Sequence, residues 1–190
     1  MRLFVAVNLP AEVRDAAAAA AQPLVTAAPA LAWVAPDRLH LTVKFLGECS
    51  DDAVPPLREA LDGVALRHRE FALDLKDVGA FPNFRRPRVV WMGVEHAARL
   101  ELLQHDVERA CEALGHEVEG RPFRAHLTLA RVRGPLPPTT AQSLARAARA
   151  VRFHHEVSVT SIDLMRSTPG AGGSRYDRLH AAPLRASGEG

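Results

Sequence analysis

At 190 residues, with 47% hydrophobic and 24% charged side chains, the chain can fill one core, and charges break every apolar run well short of the roughly 18 residues of a membrane span. The same balance, with a mean hydropathy of −0.07, excludes a disordered polypeptide. Two cysteines, Cys49 and Cys111, are too few for a disulfide framework or a cysteine metal site, and a formal charge of +2 does not by itself argue for a nucleic-acid partner.

Residues 2–8 alternate around Phe4 and Val7 as a strand. Their apolar stretch stops at Asn8-Leu9-Pro10 without a cleavage site, so no export is expected and a soluble protein of a reducing cytoplasm fits best. Pro10-Ala11-Glu12 opens an alanine-rich helix to about Ala21, ended or kinked by Pro23. A short strand over 31–34 and a strong one over 39–46 follow, the latter closed by Gly47. Ser50 can cap a helix that carries Asp51 and Asp52 in its first turn and runs to about Leu66. Strands are predicted over 71–78 and 88–94, on either side of the loop 81–87, then a helix over 97–114 ending at Gly115. The rest reads as a strand over 123–132, a helix capped by Thr139 or Thr140 and reaching Val151, strands over 153–165 and 175–184 separated by the loop 167–174, and a fraying tail after Ala186. No linker divides the chain, so the α+β pattern predicts one domain over 1–190 made of two interlocked lobes.

The chemistry lies in a repeated tetrapeptide, His40-Leu41-Thr42-Val43 and His126-Leu127-Thr128-Leu129. Only about 0.04 His-Leu-Thr triplets are expected by chance in such a composition, so two point to a common cause. On a strand, residues i and i+2 share a face. Each motif therefore buries two apolar residues and projects an imidazole with a hydroxyl from the other side. If the halves are related by a pseudo-twofold, two His and two Thr converge on one cleft, a set suited to acid and base catalysis on a phosphoester.

Arg131 follows His126 at an odd offset and needs a twist or bulge to face the same cleft. A zinc site fits less well, since the motif lacks a ligand at the Thr position and the adjacent His154 and His155 face opposite ways. His68, His96, His105, His116 and His180 read as surface residues. Of 24 basic residues 22 are arginines, clustered at Arg85, Arg86, Arg88 and at Arg131, Arg133; a GC-rich genome or a phosphate ligand would each account for that, and the clusters matter only if they border a site.

These residues resemble the two-histidine phosphoesterases, specifically the bacterial and archaeal RNA 2′,3′-cyclic phosphodiesterases, also described as 2′-5′ RNA ligases. Besides the paired motifs, the resemblance takes in the opening Arg2-Leu3-Phe4-Val5-Ala6-Val7, the run 39–48, Arg88-Val89-Val90-Trp91, Arg121-Pro122-Phe123, Arg131 and Arg175-Tyr176. Ala125 departs from it, where relatives often have proline. The resemblance implies a bilobal α+β fold with a pseudo-twofold, two antiparallel sheets lining a central cleft and helices packed outside. It further implies hydrolysis of an RNA 2′,3′-cyclic phosphate end to a 2′-phosphate without metal or other cofactor, and 2′-5′ ligation as the reverse reaction. His40 would be the proton donor and His126 the proton acceptor; Thr42, Thr128 and Arg131 would hold the phosphoryl group, and Phe45, Phe84 and Tyr176 are candidates for stacking the terminal base. The implied partner is RNA with a cyclic phosphate terminus, tRNA fragments among them, bound by a monomer away from any membrane. A small cyclic phosphate or 2′-5′ oligoadenylate as substrate, and a non-catalytic RNA-end binding module, are the competing readings.

Overall fold

The computed structural model describes residues 1–170 and 173–188. Among these, β1 (Arg2–Asn8), α1 (Ala11–Ala27), β2 (Ala32–Trp33), β3 (His40–Glu48), α2 (Val54–Ala65), β4 (Phe71–Phe81) and β5 (Val89–Glu95) are followed by α3 (Ala98–Ala113), β6 (His126–Arg131), α4 (Pro138–Ala150), β7 (His154–Val159), β8 (Ser161–Thr168) and β9 (Arg175–Pro183). The strands form one curled antiparallel sheet in the order β7-β4-β5-β6-β3-β1-β8-β9, with β2 on the side of β6. At its middle β3 and β6 share a single register pair, Leu41 with Leu127. The sheet is therefore two four-stranded halves hinged at the centres of the two motifs, one built from both ends of the chain and the other from its middle.

One face of the sheet packs on the helices. In β1, Leu3, Val5 and Val7 join the main core there, whereas Phe4 and Ala6 turn to the other face and form a small cluster with Met165, backed by Tyr176. Helix α4 packs against β4 and against α1, while α2 and α3 pack together beneath β3, β8 and β9. Thus α1, which follows β1, packs on the helix of the opposite half, and this exchange ties the halves together. Leu41, Val43, Leu127 and Leu129 are all buried, as the alternation within the motifs requires.

Local signals mislead at several places. Helix α1 runs through Pro23 to Ala27, because the buried stripe Val13, Ala17, Ala21, Leu24 outweighs the one hydrogen bond that proline forfeits. The apolar run 153–165 is two strands broken at Thr160: β7 pairs with β4, β8 pairs with β1, and the chain changes halves between them. Ser50 precedes a 3-10 turn without a side-chain cap bond, and Thr139 and Thr140 lie inside α4, whose first turn is set by Pro137 and Pro138. After Ala186 the Ser187 hydroxyl still donates to the Glu70 carbonyl, 2.9 Å away; positions 171, 172, 189 and 190, within the expected loop and tail, lie outside the described residues.

On the helix side of β3, Lys44 is buried and ion-paired with Glu108 of α3. Its ammonium also donates to the Glu117 carbonyl at 2.8 Å, and Glu108 accepts from the Glu119 N–H and from Gln104. The pair fastens the segment after α3 that leads into β6. Removing one partner leaves the other charge buried and alone, so Lys44→Met should cost about 3–5 kcal/mol of stability. Thermal or urea unfolding checks this; a variant as stable as the parent would show that Glu108 finds water instead.

Candidate active site

His40 and Thr42 on β3, and His126 and Thr128 on β6, leave the sheet on the face opposite the helices. The interior of the cleft there is closed by His40, Thr42, Thr128 and Arg131, with Arg38, Phe45 and Tyr176 among its walls. His126 stands beside it, on the same face of β6 as Thr128 but outside the residues that close the interior.

Arg131 gets there by a bulge. Val90 pairs with Ala130 while the next residue, Trp91, pairs with Thr128, so Leu129 is an extra residue in β6. Leu129 and Ala130 are consequently both buried and Arg131 emerges on the cleft side. Strand β3 repeats the device: Val5 pairs with Lys44 and Ala6 with Thr42, making Val43 extra. Val43 and Lys44 are both buried, and Phe45, 65% exposed, comes out over the cleft at the position matching Arg131.

The imidazoles are held alike. His40 Nδ1 lies 2.8 Å from the Arg38 carbonyl, and His126 Nδ1 lies 2.7 Å from that of Arg124. A carbonyl only accepts, so Nδ1 carries the proton in each ring and Nε2 is left to exchange one. Each ring also meets an aromatic edge-on, His40 against Tyr176 at 5.1 Å and His126 against Phe81 at 5.2 Å. Behind Phe81 lies Trp91, 4.9 Å away, and its indole covers Gly79 so closely that a Cβ there would fall 2.2 Å from the ring. Any side chain at Gly79 would displace this buttress. Burial lowers the pKa of His40 and the Arg131 guanidinium lowers it further, against the hydrogen bond to the Arg38 carbonyl.

Phe45 and Tyr176 thus reach the cleft. Phe84 does not: the loop after β4 folds back on α4, and Phe84 lines a separate groove there. His68 and His180, expected at the surface, are mostly covered and pair with Asp106 and Asp62. His154 and His96 share Asp74 at the β4–β7 edge. No cluster of three His, Cys, Asp or Glu side chains suited to a metal occurs among the described residues. Arg38 and Arg124, whose carbonyls fix the two imidazoles, are the residues the tetrapeptides omit; the repeat is longer than four, reading Arg-x-His-Leu-Thr at both sites.

The family model for LigT-like phosphoesterases matches the chain twice in succession, over residues 7–91 and 93–176. An RNA 2′,3′-cyclic phosphodiesterase of Geobacillus stearothermophilus is 32% identical over 98% of this chain, which spans only 58% of that protein's length. One of Aeropyrum pernix is 32% identical over 94% of this chain and 96% of its own. Among solved structures, TT0787 of Thermus thermophilus superposes with a TM-score of 0.80 at 32% identity, covering 98% of this chain and 100% of that one.

Because Arg131 disfavours the His40 imidazolium, Arg131→Gln should raise the His40 pKa. An NMR titration of the imidazole carbons in the free protein follows it; an unchanged or lower value would mean that the guanidinium acts elsewhere.

Proposed function

Since the chain belongs to the LigT-like, two-histidine phosphoesterase family, we propose that it hydrolyses the 2′,3′-cyclic phosphate at an RNA 3′ end to a 2′-phosphate. The observation that carries this reading is the duplicated half-site: two imidazoles held in one tautomer, two threonine hydroxyls beside them and one arginine brought in by the bulge. Both strands are rigid, with their inner faces buried, so the groups are in place before substrate arrives.

Water gives a proton to Nε2 of His126 and attacks phosphorus, the P–O3′ bond breaks, and the departing O3′ takes a proton from Nε2 of His40. His126 ends charged and His40 neutral, and solvent resets both. Thr42 and Thr128 donate to the phosphoryl oxygens, and Arg131 offsets the charge that builds on them in the transition state. Burial and Arg131 hold His40 towards its neutral form. The anionic cyclic phosphate counters that guanidinium and restores the proton the donor needs, so His40 becomes an acid only with substrate bound. With this division of charge no metal is required. A 5′-hydroxyl in place of water would form a 2′–5′ linkage by the same displacement, which is the ligation reading.

His40→Ala and His126→Ala should each reduce turnover of a synthetic RNA bearing a 2′,3′-cyclic phosphate about 10²-fold or more, with circular dichroism unchanged and wild-type activity preserved in EDTA. Near-normal kcat in either variant, or loss on chelation restored by zinc, would refute the mechanism.

A further inference from the structure

Charge is divided unequally over this chain. Positions 78–94 and 120–155 hold ten of the 24 basic residues and none of the 22 acidic ones. The remainder is net acidic, with Glu59 and Asp62 on α2 and Glu101, Asp106 and Glu112 on α3. The fold gathers the acid-free segments at one end of the cleft. Val89 pairs with Arg131, and the Val132 N–H donates to the Arg88 carbonyl, so the loop between β4 and β5 and the lead into α4 grow from the strand ends where Arg131 enters the cleft.

Where that loop meets α4 it leaves a groove of about 640 Å³. Phe84, Leu136 and Ala145 supply apolar lining, Asn83 and Gln142 bring amides, and Arg85 and Arg149 are its charged residues. Asn83 Oδ1 accepts from the N–H groups of Arg85 and Arg86, which fixes the tip of the loop. Arg85, Arg86, Arg88, Arg133, Arg146 and Arg149 are all exposed and, among the described residues, have no carboxylate partner; of the arginines in these segments only Arg121 is paired, with Glu119. Exposed arginines without acids, around an apolar floor with one aromatic ring, suit a single-stranded polyanion: guanidinium groups track phosphates and a ring accepts the face of any base.

We infer that the loop 82–88 and the outer face of α4 form a track for single-stranded RNA, holding nucleotides upstream of the cyclic phosphate while the terminus sits in the cleft. This rests on the proposed RNA-end substrate and adds that the protein selects a chain over a free nucleotide. Phe84, remote from the cleft interior, would then stack an upstream base and not the terminal one.

Two substrates separate the track from the chemistry: cytidine 2′,3′-cyclic phosphate, which can occupy only the cleft, and an oligoribonucleotide of about ten residues with the same terminus. Arg85→Glu/Arg149→Glu should lower kcat/KM on the oligomer about tenfold or more while changing it less than about twofold on the mononucleotide. The salt dependence on the oligomer should also flatten, by about 0.7 in logarithmic slope for each phosphate that the variant no longer holds. Equal effects on both substrates, or none on either, would overturn the track and leave the two-histidine reaction standing. If the parent protein turns over neither substrate, the proposed activity fails instead. Fluorescence anisotropy of a labelled oligomer ending in a 3′-phosphate then decides the track: weaker binding by the double variant supports it, and equal binding overturns it.

Discussion

A regular strand would carry Thr128 and Arg131 on opposite faces, so the cleft depends on the single extra residue, Leu129, that β6 inserts between them. The bulge costs one rung of the ladder, and the burial of both Leu129 and Ala130 offsets that cost. In β3 the same device does two jobs. It turns Phe45 over the cleft and sends Lys44 down to Glu108, so the strand that presents His40 is tied to the segment feeding β6. One local irregularity, used twice, sets both the contents of the site and the coupling between its halves.

The halves are equivalent in backbone and unlike in charge. Both imidazoles rest on the carbonyl two residues upstream and meet an aromatic edge. At the positions that follow the bulges, however, one strand carries Phe45 and the other Arg131, and the guanidinium adds to the burial that already lowers the His40 pKa. In the proposed reaction the Phe45/Arg131 difference gives a bound phosphate a guanidinium partner on one strand and an aromatic ring on the other, so the two halves need not play the same part.

What the sequence makes legible is what short-range periodicity controls. The His-x-Thr spacing assigns both side chains to one face because alternation within a strand is local, and Leu41 and Leu127 are buried for the same reason. The side of Arg131 is not legible, because a bulge is defined by two strands and Val90 and Trp91 share in it. Thr160 is similar: an apolar run does not reveal that its first part belongs beside β4 and its second beside β1. Pro23 is overruled by tertiary burial of Leu24. Phe84 looks like a site aromatic until the loop is seen to fold onto α4. Arg38 and Arg124 are legible as a longer repeat, although the part that acts on the imidazoles is their backbone, which any residue could supply.

The proposed reaction requires breakage of the P–O3′ bond, since the alternative, breakage of P–O2′, would give a 3′-phosphate and place the departing oxygen elsewhere. The deciding measurement is 31P NMR of the product formed from an oligoribonucleotide 2′,3′-cyclic phosphate in the presence of EDTA. The 2′-phosphate alone is predicted; a 3′-phosphate, or a mixture of the two, would contradict the assignment of the cleft.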